Sequence, residues 1–214
     1  MAKAVPELIY LIQNQSDPVL REDAVFVIGE WAWMYDIEIM TRNPRDGTPT
    51  VQELSFFVVP LFSHLAASDA FVEVRMVAAQ ALGNFAAVTA SRYSYLVAAE
   101  QSQNHSTGVN MFSMSLRVQL QSIAAAFSKC LLSETKPGVQ REILLSLLKF
   151  AHYLHMLDYE SMNLFEVVAQ LARFAPDATI QALALGLLQR MQTYPALQLL
   201  TNILMPRRWS ALGQ

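Results

Sequence analysis

The sequence predicts an all-α fold made by stacking helical hairpins. Three observations carry this. Apolar residues recur with a 3.6-residue period between short polar breaks. No segment alternates apolar and polar residues as a half-buried strand does. And the first part of the chain matches itself at a shift of 54 residues, the mark of a repeat architecture.

The elements follow from the breaks. Ser16-Asp17-Pro18 separates a helix predicted over 6–15 from one over 18–40. The stretch Thr41 to Thr50 (TRNPRDGTPT) ends the second helix and precedes one over 51–67, which Pro60 should bend. Ser68-Asp69 turns the chain into 71–89, followed by 92–102. Gln101 to Asn110 (QSQNHSTGVN) leads to 112–134, and Lys136-Pro137-Gly138 to 139–157. Asp158-Tyr159-Glu160, Pro176-Asp177, Pro195 and Pro206 delimit helices over 160–175, 178–193 and 196–204. Ten helices on short connections make five hairpins, 5–40, 51–90, 92–134, 139–175 and 178–204, in a single domain over 1–214.

At the shift of 54, Pro6 falls on Pro60, Arg21 on Arg75, Ala24 on Ala78 and Gly29 on Gly83. The stripe Leu20, Ala24, Val27, Ile28, Trp31, Met34 falls on Val74, Ala78, Ala81, Leu82, Phe85, Val88. Periodicity alone does not place Arg, Gly and Pro at shared offsets. Arg21 and Arg75 sit in the first turn of a helix, the wrong end for a cation in the helix dipole, so each needs a carboxylate such as Asp17 or Asp69. Gly29 and Gly83 cost a helix about 1 kcal/mol each, which close approach of a neighbouring helix explains.

The stretch Val59-Pro60-Leu61, Ser68-Asp69, Val74-Arg75, Ala78 and Ala81-Leu82-Gly83 resembles a HEAT repeat. In that family a proline-bearing first helix is followed by a turn with Asp, then Val-Arg and an Ala-rich second helix. The resemblance is strongest over 51–90 and good over 5–36, although there the Asp lies four residues before the Arg instead of six. Leu116-Arg117 with Ile123-Ala124-Ala125 and Phe127 fits a further second helix. Asp177, Ile180-Gln181 and Leu185-Gly186 fit another, with Gln in place of Arg; 139–157 keeps the periodicity alone. The resemblance implies a right-handed α-solenoid of the armadillo-like kind, whose usual use is to hold another macromolecule, most often a protein.

Composition narrows the function. The chain is 53% hydrophobic and 15% charged, with mean hydropathy +0.27, unlike a disordered chain. Its net charge of −3 supplies no positive field for phosphate. Arg207-Arg208 beside Trp209 is the one basic cluster, too small for nucleic-acid binding by itself. The longest apolar runs are broken by His64, Gln80 or Lys149 before spanning length, and Met1 to Ile12 carries Glu7 and lacks a cleavage site. A single cysteine, Cys130, points to a reducing compartment. Cytoplasm or nucleus is therefore expected, and no membrane partner.

Chemistry is sparse. His152, His155 and Asp158 are the best metal constellation, but i, i+3 histidines near a helix end read better as packing and dipole partners. Cys130, three residues after Phe127, reads as a small core residue. No motif of a hydrolase, nucleotide or metalloprotease site is present. The ten methionines read as gap fillers. The sequence calls for no catalytic group, metal or cofactor. One surface feature stands out. Phe26, Trp33 and Ile37 form a second apolar stripe on helix 18–40, where the shifted positions are Gln80, Ala87 and Ser91. Something should cover it: a partner protein, the loop Thr41 to Thr50, or a second copy in a homodimer. The expectation is a non-catalytic scaffold or adaptor subunit that binds a protein through Phe26, Trp33 and Ile37. A nucleic-acid binder or an enzyme's accessory subunit is the alternative.

Overall fold

The computed structural model describes residues 4–39, 51–102, 107–156 and 163–204, with side chains within 4–32, 57–94, 97, 114–154 and 163–192. All regular structure among them is helical: α1 (Val5–Asn14), α2 (Pro18–Ile39), α3 (Val51–Ser68), α4 (Val72–Ser102), α5 (Thr107–Ser133), α6 (Pro137–Lys149), a 3₁₀ turn (Ala151–Met156), α7 (Leu164–Phe174) and α8 (Ala178–Leu204). Local chemistry starts several of these. Pro18 and Pro137 occupy first helical positions, where the missing N–H costs nothing. Asp17 Oδ1 accepts from Val19 N, Asp69 Oδ1 from Phe71 N and Asp177 Oδ1 from Thr179 N, at 2.7–2.9 Å. Each satisfies a donor that the new helix leaves open.

The helices stack in two layers. The second helices α2, α4, α6 and α8 pack in that order, and α3, α5 and α7 pack in order beside them. The chain is an α-solenoid, with its hydrophobic core running continuously between the layers from Ile12 to Met191. Ile28 and Leu82 are fully buried, as the aligned stripe requires, but Leu20 at its start is 44% exposed where its counterpart Val74 is buried; Phe62 meets Phe85 edge-to-face at 6.2 Å between ring centres.

The pairing of helices differs from the expected one. The described residues form four hairpins, α1–α2, α3–α4, α5–α6 and α7–α8. The predicted helices 71–89 and 92–102 are one helix, since nothing between Asn84 and Ser102 breaks it. The predicted helices 178–193 and 196–204 are also one, because α8 runs through Pro195, as α3 runs through Pro60. A proline removes one hydrogen bond and need not end a helix. The segment 112–134 was expected as a second helix; as α5 it lies in the first-helix layer, against α3 and α7. Helix 139–157 ends at Lys149, where Phe150 N turns back to Leu147 O at 3.3 Å and Tyr153 N to Phe150 O at 2.9 Å. The hairpins 92–134 and 139–175 are thereby replaced by α5–α6 and α7–α8.

One position sets the register of all four hairpins. Arg21 Nη1 donates to Gln15 O, Arg75 Nη1 to Asp69 O, Gln140 Nε2 to Glu134 O and Gln181 Nε2 to Ala175 O. Each reaches six residues back to hold the turn before its helix. The two arginines also reach forward into the next hairpin. Arg21 Nη2 grips both Asp69 oxygens at 2.9 and 3.1 Å, and its guanidinium lies 5.5 Å from the centre of the Phe71 ring. Arg75 Nε meets Glu134 Oε2 at 2.8 Å. Asp17, the nearer acid in sequence, serves as the cap of α2 instead.

This register brings the second helices close. A Cβ on Gly29 would lie 2.7 Å from Ala81 Cβ, and one on Gly83 would lie 2.5 Å from Ser146 Cβ and 2.9 Å from its Cα. Beside these glycines, Val25, Ala32, Ala79 and Ala86 are buried. The corresponding face of α8 carries Leu185, Gln189 and Gln192, all exposed.

Two outcomes follow. Gly83→Val should destabilise by about 1–3 kcal/mol, through backbone overlap at Ser146, whereas Gly186→Ala, with nothing within 4 Å, should stabilise by about 0.5–1 kcal/mol; urea unfolding measures both signs. The second concerns Glu134. Burial pushes its carboxyl up, but hydrogen bonds from Arg75 and from the Lys136 and Thr135 N–H groups, with the Arg75 charge, outweigh that and hold it below 4.5. Its stabilisation is therefore complete above the unfolded value and lost as pH falls through the lower folded one. Glu134→Gln should cost about 1–3 kcal/mol at pH 7, and thermal melts should show that gap closing as pH falls below 4.5.

Candidate functional site: the outward face of the second helices

The exposed side of the second-helix layer is built by two repeated positions. Five residues after Arg21, Arg75, Gln140 and Gln181 stand Phe26, Gln80, Leu145 and Gly186; nine residues after stand Glu30, Asn84, Lys149 and Arg190. The first three residues at the second position are linked across the array. Asn84 Nδ2 donates to Gly29 O and to Glu30 Oε1, both at 3.3 Å. Lys149 Nζ donates to Asn84 Oδ1 at 2.7 Å, and Arg190 Nη1 lies 3.5 Å from Leu148 O. Burial pulls the Lys149 ammonium below the ordinary lysine range, while Glu142 and Glu30 act against the shift. The row thus passes from an acid at α2 through a buried amide to two cations at α6 and α8.

Beside it, Phe26 is 47% exposed and Leu145 37%. Phe26 sits on α2 where α4 has Gln80, as the aligned sequences anticipate. The side chains of Trp33 and Ile37 lie outside the described residues.

Comparison with known proteins adds little to this geometry. No family model and no curated protein matches the sequence. Among solved structures, the chain is similar to an engineered protein from a structural genomics consortium, at 17% identity and TM-score 0.32, over 89% of this chain and 97% of that one. It is also similar to a designed armadillo repeat protein, at 14% identity and TM-score 0.28, over 87% of this chain and 99% of that one.

Cys130 is buried, and its thiol is pushed up to about 11 by burial and by Glu134, against the pull of Lys129; it stays protonated at neutral pH. His152 lies against Tyr153, ring centres 4.1 Å apart. His155 and Asp158 lie outside the described side chains, and among the described residues no group of three His, Cys, Asp or Glu could hold a metal ion. Arg207, Arg208 and Trp209 also lie outside. Met191 is buried as a filler, whereas Met114 is 67% exposed. An open cleft of about 520 Å³ between α1 and α3 is lined by Ile12, Gln13, Leu61 and His64 above Arg21 and Asp69. That pair neutralises itself, so the cleft offers a ligand no net charge. No described helix is long and apolar enough to cross a membrane.

Sequence reasoning missed the Glu30–Asn84–Lys149–Arg190 row. Its signal was present as a constant spacing from the register residues, but Gln140 had to be recognised as the third of these first.

Proposed function

We propose that this chain is a non-catalytic scaffold or adaptor of the HEAT type, which binds a protein partner on the outward face of its second helices. The observation that carries this is Phe26. A large aromatic side chain nearly half in water, at a position where the next hairpin has Gln80, is what an interaction site leaves exposed when its partner is absent. Such a face is extended, shared by several hairpins and held rigid by the register bonds beneath it. The HEAT assignment is supported by the Asp69 turn, the Arg75 register bond and the close approach at Gly83. A nucleic-acid role gains nothing from this face, since Glu30 and the buried Asn84 occupy half of its charged row.

The test is the double change Phe26→Ser with Trp33→Ser. The variant should keep its melting temperature and lose partners that the wild-type chain captures from its native extract, read by mass spectrometry. Unfolding would make the stripe part of the core, and an unchanged capture profile would remove this face from the interaction.

A further inference from the structure

A second exposed apolar surface lies on the other layer, along α5. Val118, Ala125 and Leu132 are spaced seven residues apart, and Met114 stands one turn before Val118. Met114 is 67% exposed, Val118 56% and Leu132 63%; Ala125 between them is exposed too. The opposite side of the same helix is buried, with Leu116, Leu120, Ile123 and Phe127 in the core. A seven-residue step drifts only about 20° around a helix, so the four side chains form one narrow line roughly 27 Å long. With one apolar position per heptad, such a line is a ridge that can seat in the groove of another helix.

The charges on α5 itself have one sign. Arg117 and Lys129 are exposed on α5, and none of its 27 residues is Asp or Glu. The first acid after it, Glu134, is turned inward onto Arg75. Two cations and no acid on the helix that bears the line stand out in a chain whose net charge is −3. We infer that α5 docks an amphipathic helix of a partner protein, apolar along one edge and acidic beside it. A second copy of this chain fits poorly, because two such faces would set Arg117 and Lys129 against their own like charges. The Phe26 face plays no part in this inference.

Two synthetic peptides of about three heptads, with leucine at the a and d positions and either glutamate or lysine at e and g, test it by fluorescence anisotropy with the whole chain. The glutamate peptide should bind at least roughly tenfold more tightly than the lysine peptide. Arg117→Glu with Lys129→Glu should reverse that preference. Val118→Asp with Leu132→Asp should abolish binding while leaving the circular dichroism and melting temperature unchanged. Equal binding of the two peptides, or a preference that survives the charge reversal, overturns the inference. So does unfolding of the Val118→Asp, Leu132→Asp variant, which would make the line internal. Concentration-dependent dimerisation that the same variant abolishes would assign the face to a second copy and overturn it equally.

Discussion

An arginine that reaches from one hairpin into the next is the contact on which the described structure depends. Arg21 holds the carbonyl of its own turn at Gln15 and the carboxylate of the next turn at Asp69. Arg75 does the same with Asp69 O and Glu134. Each pair is mostly shielded, with arginine side chains 12–13% and acids 8% exposed. In that setting a two-pronged guanidinium contact fixes geometry as well as adding energy. Breaking one partner leaves a charge with nowhere to go. The chain respects this at the third junction. There Gln140 replaces the arginine and Ala175 the acid, so that cation and anion are lost together and the hydrogen bond to the turn is kept.

With the turns tied at one end, the second helices meet along their lengths. Helix α2 buries Gly29 against Ala81, and α4 buries Gly83 against Ser146. Ser146 Oγ donates to Ala79 O across the same contact at 2.9 Å, so a polar atom enters the interface with its bond made. Between α6 and α8 the close approach gives way to larger apolar side chains, with Leu147 and Leu187 buried. A rigid stack results, and each surface of it then presents repeated positions in rows. One row carries Phe26 and the Glu30–Asn84–Lys149–Arg190 chain; the other layer carries the line along α5.

Much of this was legible from the residues. Shared Arg, Gly and Pro at one shift revealed the repeat. The mid-helix glycines predicted close helix approach, and Asp69 was among the named partners of Arg21. Phe26 was identified as exposed by asking what α4 has in its place. Other features were hidden for physical reasons. From Arg21 to Arg75 is 54 residues, but Arg75 to Gln140 is 65 and Gln140 to Gln181 is 41, because α5 is long and α7 short. A fixed shift therefore loses the repeat after the second hairpin. Amphipathic periodicity tells which side of α5 is buried and not which layer it joins, so 112–134 was placed in the wrong one. Pro195 reads as an end in the sequence, although a helix held by its neighbours continues through it. The Asn84–Lys149 link joins residues 65 apart and exists only once the hairpins are stacked.

The most direct test is a pair of double-mutant cycles on Arg21, read by equilibrium unfolding at neutral pH. One cycle combines Arg21→Met with Asp69→Leu, the other Arg21→Met with Asp17→Ala. If Arg21 ties the first hairpin to the second, the cycle with Asp69 shows a coupling of about 1–3 kcal/mol and the cycle with Asp17 one within about 0.5 kcal/mol of zero. A coupling to Asp17 as large as that to Asp69, or none to Asp69, would contradict the account and leave the array held by apolar stacking alone.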